Sequence, residues 1–131
     1  MGLDSYINAV NADALEGKSV DFCVGYNKYA VKEFAYFRKN SALHSFMWKL
    51  YDRLGGVDKE FNGNRVVILH SVVMQLKHQL DECELEGQSG FFWGTMDEDK
   101  YENIKVFVEK ALEFYDDKTN EGYVLYYDSS W

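Results

Sequence analysis

Glu33, Tyr36, Arg38, Asn40 and His44 stand close together in the chain and are the residues best equipped for chemistry. Arg38 offers a planar fork that matches phosphate or carboxylate. Asn40 and His44 can read a base edge or sugar hydroxyls, and Tyr36 with Phe37 supplies a surface on which a base can stack. Glu33 and His44 could also serve as a general acid–base pair on a nucleotide substrate. The competing arrangement is a buried structural network, in which Glu33 pairs with His44 or Arg38 and Asn40 bonds loop backbone. Structural ion-pair networks are common, and both alternatives stand at this point.

The element that must position these residues is predicted to be a helix over Lys32–Leu54. Wound at about 3.6 residues per turn, it brings Tyr36, Leu43, Met47, Leu50 and Leu54 onto one apolar face. Glu33, Asn40 and His44 then fall beside or within that face. Buried polar groups cost free energy unless paired, so these three must bond one another and nearby backbone or line a pocket.

Two further groups join the candidate site. Ser129, Ser130 and Trp131 follow an apolar strand, and their hydroxyls and indole N–H could complete a site with Asp4 and Tyr6 of the first strand. The alternative is that Trp131 simply covers the core, as aromatic residues usually do. In the segment SGFFWG, glycines bracket Phe91, Phe92 and Trp93; most of it suits core packing, with Trp93 as the ligand contact. No Lys-Ser/Thr follows it, so it is weak as a phosphate cradle. His70, His78 and Cys83 lack the spacing of a metal motif, and neither a C-x-x-C nor an H-E-x-x-H occurs. No metal and no cofactor is expected, and nothing beside Cys23 or Cys83 marks a reactive thiol.

The remaining elements follow from periodicity. Leu3–Val10 and Ser19–Val24 alternate as strands, and Tyr123–Asp128 closes the chain as another. Gly55-Gly56 ends the first helix. Arg65–Leu85 reads as a second helix, with Val66, Leu69, Val73, Leu76 and Leu80 on one side. A third begins at Asp97, Glu98 and Asp99 and buries Tyr101, Ile104, Val108, Ala111 and Tyr115. The expected fold is α+β over a single domain, residues 1–131: a small, mostly antiparallel sheet, its N- and C-terminal strands paired, packed with three helices.

Charge and composition narrow the function. Aromatic residues make up 17% of the chain, which supplies large contact area for a core or a ligand. Net charge is −8, distributed as +2 over residues 1–80 and −10 over residues 81–131. That balance disfavours direct binding to nucleic acid or an anionic membrane, while leaving room for an anion at Arg38 and Lys39. No stretch approaches the ~20 apolar residues of a membrane span. The start of the chain lacks the pattern of a secretory leader, and two well-separated cysteines suggest buried thiols in a reducing, cytoplasmic setting.

Four blocks, GLDSY at 2–6, KEFAYFRKNSALHSF at 32–46, SGFFWG at 89–94 and YYDSSW at 126–131, together resemble a family of small proteins encoded by tailed bacteriophages and prophages. The family pattern runs G-L-D-x-Y, then E-x-x-Y-W-R-K-x-N-x-x-H, then G-F-F-F-G, then S-S-W. Phe37 stands where a Trp is usual and Trp93 where a Phe is usual, so both positions stay aromatic. Members are often labelled phosphoglycerate kinase, but a phosphoryl-transfer enzyme needs a phosphate cradle, a metal site and a cleft between domains. This chain is too short for that arrangement. The resemblance implies phage origin, and hence the cytoplasm of an infected host, but brings no catalytic residue.

The leading expectation is a non-enzymatic protein that sequesters a small anionic, nucleotide-like host immune signal. The alternative is an acidic inhibitor that docks on a basic host nucleic-acid-processing or CRISPR-type effector. A small enzyme using His44 and Glu33 ranks third. A homodimer is the default assembly.

Overall fold

A computed structural model describes residues 2–24, 29–85 and 96–131. Its elements in chain order are β1 (Asp4–Asn11), β2 (Lys32–Arg38), α1 (Ser41–Arg53), β3 (Val66–Ile68), α2 (His70–Asp81), α3 (Glu98–Asp116) and β4 (Tyr123–Ser130), with short 3-10 turns at Ala12–Leu15 and Lys118–Asn120. The strands form one antiparallel sheet in the order β2-β1-β4-β3. The α+β architecture and the pairing of the first and last strands are as expected.

The predicted central helix is instead a strand followed by a helix. Lys32–Arg38 pairs with β1, and helix begins only at Ser41. The break lies at Lys39, which is left-handed at φ +51° and donates its N–H to the Leu3 carbonyl. Asn40 then caps α1 by accepting from the Leu43 N–H at 3.1 Å, which satisfies one of the helix's orphan donors. The predicted second helix divides similarly into β3 and α2. Ser19–Val24, predicted as a strand, joins the sheet only through an isolated bridge from Val20 to Val66. The left-handed turn at Asp21 (φ +53°) interrupts its alternation. That short contact covers the outer side of β3, with Val67 N–H bonded to the Ser19 carbonyl.

The third helix forms over almost the predicted range. Asp97 caps it, accepting from the Lys100 N–H at 2.9 Å, and Glu98 and Asp99 sit where the helix dipole favours negative charge. Ile104, Phe107, Val108 and Ala111 face inward. Gly56 lies directly over the buried Tyr51 ring, where an added Cβ would fall 2.2 Å from the ring's Cε1.

Side chains alternate across the sheet. Ile7, Phe37, Leu125, Tyr127, Val66 and Ile68 meet the helices in the main core. On the opposite side, Val10, Val67 and Tyr126 lie beneath Ala14, Leu15, Phe22 and Val24 in a second, smaller cluster. The register of β1 with β2 slips between Ile7 and Asn8 and leaves Phe34 as an extra residue. Phe34 packs edge-on against Phe107 and Phe114 of α3, so this bulge brings Phe34 and Phe37 to the same side. Cys23 and Cys83, expected to be buried, are free and exposed. No helix among the described residues is long and apolar enough to cross a membrane.

Candidate functional site

Division of the predicted helix separates the polar residues it was meant to align. Asn40 and His44 go to the core, while Tyr36, Arg38 and Glu33 stay on the sheet. Asn40 is 1% exposed, and besides its cap bond its Nδ2 donates to the Lys100 carbonyl at 3.0 Å, tying α1 to the start of α3. Replacing it with Ala removes both bonds. We expect Asn40→Ala to lower the unfolding free energy by about 2–3 kcal/mol in urea titration, the sum of a lost cap and a lost buried hydrogen bond.

His44 is fully buried, ringed by Phe61, Trp48, Tyr127 and Trp131 at centroid distances of 5.1–6.2 Å. Its Nδ1 lies 2.8 Å from the Tyr127 hydroxyl, which in turn lies 2.7 Å from Ser5 Oγ. Tyrosine has one hydroxyl proton, so Tyr127 accepts from at least one of these two groups. Burial lowers the imidazole pKa to about 4, partly opposed by a hydrogen bond with the Phe61 backbone. Burial also raises the Tyr127 pKa. The site therefore holds a neutral histidine against a neutral phenol. Both predicted pocket residues on α1 bond protein atoms, which corrects the view of them as groups aimed at a guest molecule.

Glu33 is exposed on β2 and pairs across the sheet with Asn8, on the side away from the helices and hence away from His44. An acid–base pair of these two does not form. Phe37 points into the main core, edge-on to Phe107, and offers no stacking surface. Trp131 is docked: its N–H donates to Asn62 Oδ1, Asn62 Nδ2 donates to its carbonyl at 2.8 Å, and its indole N–H donates to the Phe61 carbonyl at 2.7 Å. It packs on the helix side of the sheet near His44. Ser129 is buried on that same side, opposite Ser5. Trp93 and the SGFFWG segment lie outside the described residues.

What does assemble is a surface on the sheet face opposite the helices. Beyond the end covered by the smaller cluster, two cross-strand rows cross this face, with Tyr36, Arg38 and Ser130 exposed and Asp4, Tyr6 and Asp128 part-buried. The register places Arg38, Asp4 and Ser130 in one row and Tyr36, Tyr6 and Asp128 in the next. Asp4 Oδ1 accepts from the Tyr36 hydroxyl at 2.5 Å and from Arg38 Nη1 at 2.8 Å. The Tyr36 hydrogen bond, then Arg38, holds the Asp4 carboxyl below the usual carboxylate range. The same contacts raise the pKa of Tyr36 and of Arg38. The Tyr6 and Tyr36 rings lie 5.3 Å apart at 41°. Tyr36 remains 49% exposed and the Arg38 side chain 50%.

Two residues that the sequence did not single out complete this face. Arg65 lies 5.8 Å above the Tyr126 ring and donates to the Phe22 carbonyl at 3.2 Å. Its Nε meets Asp128 Oδ2 at 3.4 Å. Burial raises the pKa of Asp128, with Arg65 opposing. Strict alternation in YVLYYDSS places Asp128 beside Tyr126 and Ser130, a signal available from sequence; Arg65 gave none. Elsewhere, an open groove of about 820 Å³ runs between α2 and α3, lined among others by Lys77, Leu80, Tyr101, Lys105 and Val108, and contains none of the predicted site residues. No family model, curated protein or solved structure matches the chain.

Proposed function

We propose that this is a non-enzymatic binding protein that takes a small anionic, nucleotide-like ligand on the open sheet face. One observation carries the reading: two neighbouring tyrosines, Tyr6 and Tyr36, lie beside a half-exposed arginine that a carboxylate holds in place. A base can stack on an aromatic side chain, an interaction worth about 1–3 kcal/mol. The planar fork of Arg38 suits a phosphate. The bond to Asp4 also fixes the guanidinium, which lowers the ordering cost of binding. With phage origin, as the resemblance implies, such uptake would remove a nucleotide signal from host defence.

Isothermal titration with nucleoside monophosphates and cyclic nucleotides tests the reading. Tyr36→Ala and Arg38→Gln should each weaken binding about tenfold or more while far-UV circular dichroism stays unchanged. Binding unaffected by both substitutions, or no heat with any nucleotide, would sink it.

A second reading rests on charge. Asp97, Glu98, Asp99, Glu102, Glu109 and Glu113 are exposed along α3 and its cap, in the part of the chain that carries the excess acid. An acidic helix of this kind can dock on a basic host effector, and capture would then fall with added salt.

A further inference from the structure

The row Tyr36–Tyr6–Asp128 does more than offer a surface for stacking. Neighbouring strands lie about 4.8 Å apart, so the Asp128 carboxylate stands one strand away from the Tyr6 ring, on the same face. A base lying over the tyrosines presents its edge to that carboxylate. Asp128 is not a loose side chain: Arg65 bonds its Oδ2, and Arg65 is itself held over Tyr126 and on the Phe22 carbonyl. A held carboxylate is an acceptor with two oxygens and no proton to give.

Among the common bases, only guanine meets such a group with two adjacent donors, N1–H and the N2 amino group. Adenine and cytosine each place a ring-nitrogen lone pair beside their amino group, and uracil sets one N–H between two carbonyl oxygens. Three of the four therefore turn a lone pair toward one carboxylate oxygen. Sites that pair a polar group of the ligand discriminate sharply against analogues that leave the partner unmatched.

We propose that the open sheet face is selective for a guanine base, with Asp128 accepting from its N1–H and N2–H while Tyr6 and Tyr36 carry the ring and Arg38 meets the phosphate. This rests on the reading that a nucleotide occupies this face. An asparagine at position 128 has the same shape but offers one acceptor and one donor. It complements the amino group and N1 of adenine instead.

The test is calorimetric titration of the full chain with GMP, AMP, CMP and UMP, for the wild type and for Asp128→Asn. The wild type should bind GMP about tenfold or more tightly than AMP, and Asp128→Asn should reverse that order. Far-UV circular dichroism and the urea midpoint report whether the variant keeps its fold. If the wild type binds all four alike, or if Asp128→Asn leaves the GMP-to-AMP ratio unchanged, the assignment of Asp128 fails while the binding reading stands. If none of the four binds, the guanine assignment fails, and the binding reading falls with it when cyclic nucleotides give no heat either.

Discussion

Tyr127→Phe will lower the unfolding free energy by roughly 2–5 kcal/mol, although it deletes one oxygen and keeps the ring. The ring's stacking on Phe61, at 5.7 Å and 6° between planes, survives the change. What goes is the atom that bonds both Ser5 Oγ and His44 Nδ1. Those groups sit at zero exposure, where water cannot replace the lost partner. Each then bears a desolvation cost of about 1–3 kcal/mol. Ser5→Ala in the Tyr127→Phe background removes one of the stranded groups, so the double variant should be less unstable than the sum of the single ones. Urea titrations of all four proteins give this coupling directly. A loss below 1 kcal/mol for Tyr127→Phe would mean that the hydroxyl does not organise the core.

The second large effect is acid sensitivity. An unfolded histidine takes a proton near pH 6.5, whereas His44 in the fold takes one only near pH 4. Between those values the unfolded state binds the extra proton, so stability falls as pH falls. The full contribution, present above pH 6.5 and gone by about pH 4, amounts to about 3 kcal/mol. Asp4 and Asp117, whose pKa values are lowered, lose their stabilisation only below 3.8, outside this window. Asp128, with a raised pKa, acts in the opposite sense, since its protonation favours the folded state. It is common to wild type and variant, so the difference between them isolates the histidine. His44→Gln retains a polar partner for Tyr127 without a titrating ring. Its urea midpoint should vary much less between pH 6.5 and 4 than that of the wild type. Parallel curves for the two proteins would exclude His44 as the source.

Legibility in the sequence followed the regularity of each element. β1 alternates, β4 is a run of aromatic and branched residues, and α3 announces itself by its Asp97 cap and its inward stripe. β2 did not, because the bulge at Phe34 turns two phenylalanines three residues apart to the same side, which imitates a helical period. Lys39 then takes a left-handed backbone that glycine would have signalled and lysine does not. β3 is only three residues long, and Val66 continues the apolar spacing of the helix after it. Asn40 and His44 are polar groups turned toward the core. Their partners, Lys100 and Tyr127, lie 60 and 83 residues away, and no local pattern points to them. The contact of Asp4 with Tyr36 and Arg38 emerged for a related reason: a cross-strand register, not a helical face, unites them.

The two apolar clusters on opposite sides of the sheet differ in what anchors them. The larger engages all three helices; the smaller holds Ala14, Leu15, Phe22 and Val24 against one end of the outer face. Such a minor patch has less area to lose on opening, so hydrogen exchange there is expected to be faster than on the helical side. Lifting would uncover Val10, Val67 and Tyr126 and release the Phe22 carbonyl from Arg65. On the proposed binding reading, such an opening would lengthen the platform along the strands and loosen Arg65, the residue that braces Asp128.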